Sequence, residues 1–323
     1  MPVKSACKSG LLDAPTLNLL KEVNVEIPIV QINAFSNYEF DEKLYELDQW
    51  VLADFIELGA NDWNRQETLV WGYNSQKFPK AQAAEWQKFD KFVQDKPPVL
   101  TLKREFLAKD SLWRNIYPVD FPCFLPAEPI QTKEEFDARP IEVFNFWGHS
   151  HESRRALQGN IFINSTKSGY GVMDNFYNIE QAIKDYKRLW VTIQVPHYAR
   201  IPMGHVIFIN GHSKLSVSLP GAGAKCFRMA ESPINSIMVM QEDKMQYAYP
   251  WIHGFNCIKI PLSDDPEEIR GLKNQWQAIE TIEAALQRND LYDIYLRGVE
   301  NCNKYMVDNY VSNYIEPLIK QHL

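Results

Sequence analysis

What most constrains this chain is a succession of short apolar runs separated by stretches of helical periodicity. Glu26–Ile32, Pro98–Leu102, Pro140–Phe146, Leu189–Val195, Lys214–Leu219 and Ile237–Met240 each have the length and composition of a buried strand. Between them, Tyr38–Leu58 places Phe40, Leu44, Leu47, Val51, Leu52 and Phe55 at helical spacing and stops at Gly59, which predicts an amphipathic helix. A further helix is expected to start within His151–Leu157, another spans Pro266–Arg288, and a tail carrying Tyr292, Tyr295, Tyr305, Tyr310 and Tyr314 is also read as helical. Strands alternating with helices imply parallel sheets, and hence an α/β fold.

With 323 residues, 45% of them apolar, the chain is long for one hydrophobic core and long enough for two. The composition changes where Pro118, Pro122, Pro126, Pro129 and Pro140 interrupt any helix. That stretch reads as a stiff linker between hinged bodies, dividing the chain into residues 1–130 and 131–323. The C-terminal helix is placed as a return onto the first domain.

The net charge is −7 and Lys and Arg form no dense block, which disfavours DNA or RNA as a partner. Five cysteines stand far apart with no CxxC, a pattern of free thiols rather than of a disulfide frame or a zinc site. The lysines near Met1 precede no signal-peptide run, and no stretch approaches the length of a transmembrane segment; a cytoplasmic protein is expected.

The segment with most chemistry is Lys214–Glu231, where a strand runs into Pro220-Gly221-Ala222-Gly223-Ala224 and then into a predicted helix. Glycines allow close backbone approach, and the first amides of a helix are free to meet phosphate oxygens. Lys225 and Arg228 add positive charge there, Arg228 with a fork suited to phosphate. Glu231, three residues beyond Arg228, is placed to accept both ribose hydroxyls of a nucleotide. The plainer alternative is a tightly packed turn with Arg228 and Glu231 as a surface pair. The spacing GxxxxGK[ST] is absent, which argues against a P-loop ATPase or kinase.

Four blocks together resemble the exostosin-like glycosyltransferases. They are Leu102-Lys103-Arg104-Glu105 with Tyr117-Pro118-Val119; Arg139–Phe144 through Gly148 to Arg154 and Leu157; Ser213–Leu215 through Pro220-Gly221 to Arg228 and Glu231; and Val239–Asp243 with Pro250-Trp251 and Gly254–Ile258. The resemblance runs from roughly Leu100 to Ile260 and leaves the first hundred residues to architecture alone. It implies the GT-B fold, two Rossmann-like domains facing each other across a cleft, and transfer of a sugar from a nucleotide-sugar donor to a hydroxyl acceptor, a glycan. In that setting Arg228 and the amides of Gly221, Ala222, Gly223 and Ala224, with Lys225, meet the diphosphate, and Glu231 meets the ribose. Gly148, His149 and Arg154 line the same cleft. Proteins of this fold usually work without a metal or other cofactor, and the chain has no Asp-x-Asp; cationic and amide groups would neutralise the leaving diphosphate instead.

Other residues carry rival or additional readings. Gly148-His149-Ser150-His151 also matches the last motif of calcineurin-like metallophosphoesterases, but the earlier Asp-x-His and Asn-His motifs of that family are missing, so two metals could not be assembled. Asp62, after the first predicted helix, is the candidate general base for an inverting transfer, with a solvated cap as the alternative. Lys103 and Arg104 end a strand where open α/β sheets place ligands and are candidates to contact the diphosphate or an acidic acceptor. Trp63, Trp71, Trp86 and Tyr73 are either an acceptor groove or core. Two further functions stay open: a non-catalytic binder of a nucleotide-sugar or glycan, and a transferase acting on a modified base in DNA, which the acidic charge disfavours.

Overall fold

The computed structural model describes residues 4–5, 19–32, 39–55, 80–104, 106, 115–123, 125–130, 132–148, 168–170, 189–195, 203–219, 225, 228–242, 245–261 and 272–323. Within them lie two sheets in which every pairing is parallel. The first contains β1 (Lys4–Ser5), β2 (Ile29–Ile32), β3 (Val51–Asp54), β4 (Leu100–Lys103) and β5 (Ile116–Pro118), side by side in chain order. The second contains β6 (Ile141–Gly148), β7 (Ser168–Tyr170), β8 (Leu189–Val195), β9 (Ser213–Ser218), β10 (Ile237–Gln241) and β11 (Ile258–Ile260), in the order β11-β10-β9-β6-β8-β7. The chain is therefore α/β with two parallel sheets, as its alternation of strands and helices requires.

Helix α1 (Lys80–Asp95) precedes β4, α2 (Lys133–Asp137) precedes β6 and α3 (Met203–Gly211) precedes β9. Helix α4 (Arg228–Glu231) is a single turn before β10. Helices α5 (Leu272–Leu286), α6 (Leu291–Lys304) and α7 (Val307–Tyr310), a π-helical turn (Val311–Ile315) and α8 (Glu316–Gln321) follow β11. None of the described helices is long and apolar enough to cross a membrane.

The predicted helix over Tyr38–Leu58 is corrected. Glu42–Glu46 forms a short 3-10 turn capped by Asp41, and Val51–Asp54 is strand β3. The strand is buried on both faces, so apolar residues belonging to two cores stand next to each other in sequence and imitate helical spacing. Val51 and Ala53 join the larger buried cluster, whereas Leu52 joins Phe40, Leu44, Trp50, Phe89 and Phe92 in a smaller one beneath α1.

The proline-rich stretch after β5 is packed against the rest of the chain. Val119, Phe121, Cys123 and Ala127 are buried. Asn303 of α6 accepts from the Ala127 N–H at 2.9 Å and donates to its carbonyl at 2.9 Å, and the Tyr295 hydroxyl accepts from the Ile130 N–H at 3.0 Å. Proline removes backbone donors, and those of Ala127 and Ile130 are paired with side chains of α6. The large cluster runs without a break from Ile29, Val51 and Leu102 through Val119, Cys123 and Tyr305 to Val143, Val217 and Val239.

The last turns of the chain lie against the first sheet's side of the molecule. Tyr314 donates to the Pro118 carbonyl at 2.8 Å, the Tyr117 hydroxyl meets His322 Nε2 at 3.0 Å, and Glu316 accepts from the Asn24 N–H at 2.8 Å.

Candidate functional site

Strand β6 sits in the middle of the second sheet. From it the chain passes to β7 at one edge, returns to β8 beside β6, and then crosses to β9 on the other flank, continuing outward to β10 and β11. The connections leaving β6 and β9 thus turn to opposite sides. In an open α/β sheet that reversal opens a crevice at the carboxyl ends of the two strands, where ligands collect. The two strands are in direct register, Phe144 opposite Ser216 and Asn145 opposite Val217. Gly148 ends β6, and β9 leads into the glycine-rich segment. The two blocks singled out in the sequence therefore leave neighbouring strands at the switch point.

The ends of these strands carry buried polar groups. Asn145, Ser216 and Ser218 are at most 3% exposed. Among the described residues the Ser218 hydroxyl has no hydrogen-bond partner, a state that costs free energy in a dry interior.

Helix α4 begins at Arg228 and ends at Glu231, where Ser232–Ile234 tightens into a 3-10 turn containing Pro233. Pro233 cannot supply the next helical donor, so the helix ends at Glu231. A macrodipole of one turn is small; what anion attraction the segment has must come from amides and side chains. Asn210 of α3 donates to the Glu231 carbonyl at 3.0 Å, fixing the end of the turn.

Lys225 is corrected as a phosphate ligand. It is 1% exposed, and its ammonium group lies 2.5 Å from Asp120 Oδ1, donates to the Gln246 carbonyl at 2.5 Å, and rests 4.5 Å from the centre of the Tyr247 ring. An ammonium group taken out of water must be matched by a counter-charge, and Asp120 supplies it. Asp120 in turn accepts from the Ala248 N–H at 2.8 Å and stands 3.2 Å from the Tyr305 hydroxyl, while the Tyr310 hydroxyl accepts from its backbone N–H at 2.8 Å. Burial and the nearby Asp120 carboxylate push the Tyr305 and Tyr310 hydroxyls well above the ordinary tyrosine range, so both remain neutral hydrogen bonders. Asp120, Lys225, Met229, Tyr247, Trp251 and Tyr305 line a small crevice beside α4.

Lys103 and Arg104 stand at the end of β4 as expected, yet they are 2% and 3% exposed. Arg104 lies 4.9 Å from the centre of the Phe121 ring and its backbone donates to the Asp54 carbonyl. They form part of a buried charged layer with Asp54, whose Cα is in register with that of Lys103. Asp62, His149, His151, Arg154, Gly221, Ala222, Gly223, Ala224, Trp63, Trp71 and Tyr73 lie outside the described residues, as do the side chains of Arg228 and Trp86.

Asp120 and the tyrosine lattice around it were missed in the sequence. The one available signal was an aspartate set in the apolar run Ile116–Cys123, a pattern that points to a buried, paired charge.

No family model matches the chain, and no curated protein matches it. Among solved structures it is similar to the GtfA/B complex, with 9% identity, a TM-score of 0.47, and coverage of 95% of this chain and 59% of that one. It is similar to the pneumococcal O-GlcNAc transferase GtfA in complex with UDP and GlcNAc, with 10% identity, a TM-score of 0.47, and coverage of 91% and 56%. A third similarity is to the structure named as trehalose-6-phosphate from E. coli bound with UDP-2-fluoro glucose, with 9% identity, a TM-score of 0.49, and coverage of 93% and 74%. The chain thus spans little more than half the length of the first two of these proteins.

Proposed function

We propose that this chain is a GT-B glycosyltransferase, akin to the exostosin-like enzymes, that moves a sugar from a nucleotide-sugar to a hydroxyl of a glycan without a metal and in the cytoplasm. The observation that carries the reading is the topological switch point: Gly148 and the glycine-rich segment leave adjacent parallel strands where an α/β sheet receives a ligand. In this reading residues 131–323 hold the donor and residues 1–130 present the acceptor. Glu231 takes the ribose hydroxyls. Arg228 and the Gly221–Ala224 amides take the diphosphate, whose charge grows as the bond to the sugar breaks. His149 and Arg154 close the donor pocket from the β6 side, and Asp62 is the base for the acceptor hydroxyl.

A panel of nucleotide-sugars tests the reading, first by thermal shift and then by transfer of a labelled sugar in the presence of EDTA. A donor at 100 times its dissociation constant stabilises the fold by about 2.7 kcal/mol, and the matching acceptor should then release nucleoside diphosphate. Binding without release under any acceptor would establish a non-catalytic binder. Restoration of an EDTA-lost activity by Mg²⁺ or Mn²⁺ would overturn metal independence, and absence of any nucleotide effect would overturn the whole assignment.

A further inference from the structure

The segment that follows the first sheet grips α4 at two points. Asp120 holds Lys225, three residues ahead of the helix, by the buried ion pair at 2.5 Å, and the Cys123 thiol donates to the Ala230 carbonyl within the helix at 3.3 Å. The grip is itself fixed. The Cys123 N–H donates to the Tyr305 carbonyl at 2.9 Å, Tyr310 accepts from the Asp120 N–H, and the Asp120 carboxylate also accepts from the Ala248 N–H. Residues 119–123 leave β5 of the first sheet, whereas α4 lies between β9 and β10 of the second. The contact is therefore a bridge between the two sheets, made at the element that carries Arg228 and Glu231.

A buried ion pair is a poor source of net stability, because desolvation of both partners offsets most of their attraction, and apolar residues of similar size often serve as well or better. In some proteins a buried charged or polar group instead fixes the register between two elements. Lys225 has further contacts of its own, to the Gln246 carbonyl and the Tyr247 ring, so its ammonium group is held from several directions at one place.

We propose that Asp120 is a positioning residue for the donor site: through Lys225 it sets the placement of α4, and with it Glu231, so that the first half of the chain controls donor affinity in the second. The proposal rests on the assignment of α4 to the donor. In this reading Asp120 acts through Lys225 rather than by its own contact with donor or acceptor.

The test compares wild type, Asp120→Asn, and the paired variant Asp120→Leu/Lys225→Met, which removes both charges while keeping side-chain bulk. Three readouts are taken well below the melting temperature: hydrogen exchange of the backbone N–H groups within residues 228–234, where Pro233 has none, the dissociation constants of UDP, GDP and ADP, and the split of donor KM from kcat. The paired variant is expected to stay folded, to exchange the 228–234 amides at least tenfold faster, and to bind the nucleoside diphosphate that wild type prefers at least tenfold more weakly, with KM changing more than kcat. Asp120→Asn should do the same and also lower the melting temperature, since it leaves Lys225 buried without its counter-charge. A folded paired variant with wild-type exchange over 228–234 would overturn the positioning role, whatever the nucleotides do. Faster exchange with an unchanged dissociation constant would overturn the link to donor affinity. Should wild type bind no nucleoside diphosphate, the donor assignment fails, and the exchange readout still decides whether Asp120 places α4.

Discussion

Replacing Gly298 by alanine sets two opposing effects against each other, and the structure says which should win. Gly298 is buried in the middle of α6. In a helix interior alanine is favoured over glycine by about 1 kcal/mol. A Cβ at this position, however, would lie 2.9 Å from the Asn256 carbonyl oxygen, closer than the roughly 3.3 Å at which carbon and oxygen ordinarily approach. The carbonyl cannot easily retreat. Asn256 donates from its side chain to the Pro250 carbonyl at 3.0 Å and accepts from the Ile252 N–H at 2.7 Å, Gly254 N–H donates to the Cys257 carbonyl, and Arg297 of α6 holds the Phe255 carbonyl at 2.7 Å. Overpacking a site of this kind costs about 1–3 kcal/mol, and a yielding loop would give up hydrogen bonds worth about 1 kcal/mol each. The net expectation for Gly298→Ala is a loss of up to about 2 kcal/mol, or up to about 3 °C in Tm for a chain of this size. Gly204, in α3, has open space where a Cβ would stand, with no neighbouring atom within 4 Å, so Gly204→Ala should gain helix propensity and raise Tm. Thermal unfolding of the two variants side by side checks the argument. A Gly298→Ala protein that melts higher than wild type would refute the close approach of α6 to the 250–257 loop.

Three further outcomes are expected. Glu231→Ala should weaken donor binding with the fold intact, by the roughly 1.5–3 kcal/mol that a charged hydrogen bond contributes; an unchanged dissociation constant in calorimetry removes Glu231 from the ribose. Arg228→Lys keeps the charge and loses the planar fork, so its single-turnover rate at saturating donor should drop sharply and that of Arg228→Ala further, whereas wild-type rates in both would return Arg228 to the surface. The Glu316 carboxyl is held below the usual carboxylate range by the Asn24 N–H and then by Lys320. Its stabilising effect is therefore complete above an unfolded pKa of about 4.3 and is lost as pH falls through the lower folded value. Glu316→Gln should lower Tm at pH 7, with the gap to wild type closing under more acid conditions; a gap that widens in acid contradicts the assignment.

Strands β2, β4, β6, β8, β9 and β10 were legible in the sequence because a parallel strand covered on both faces is a continuous apolar run. The same property hid β3, whose neighbours Leu44, Leu47 and Phe55 completed an accidental helical spacing. Strands such as β5 (Ile116–Pro118) and β11 (Ile258–Ile260) are three residues long, too short for periodicity to register. At the candidate site the glycine-rich segment could be read because backbone permissiveness is written in residue type. The burial of Lys225 could not, since its partner Asp120 lies in another element and a lysine beside glycines carries no local sign that its charge is already matched.

The return of the C-terminal turns to the first sheet has a consequence for how the chain acquires its structure. Tyr314 and Pro118 are 196 positions apart, and Glu316 and Asn24 are 292 apart. Contacts of such separation are closed late, because the loop entropy must be met before they repay it. During synthesis β5 and the 119–130 stretch must wait, with Val119, Phe121 and Cys123 uncovered, until α6 and the tyrosines that follow it have been made. The first sheet should therefore be the part of the newborn chain most in need of protection from aggregation, even though every one of its strands leaves the ribosome first.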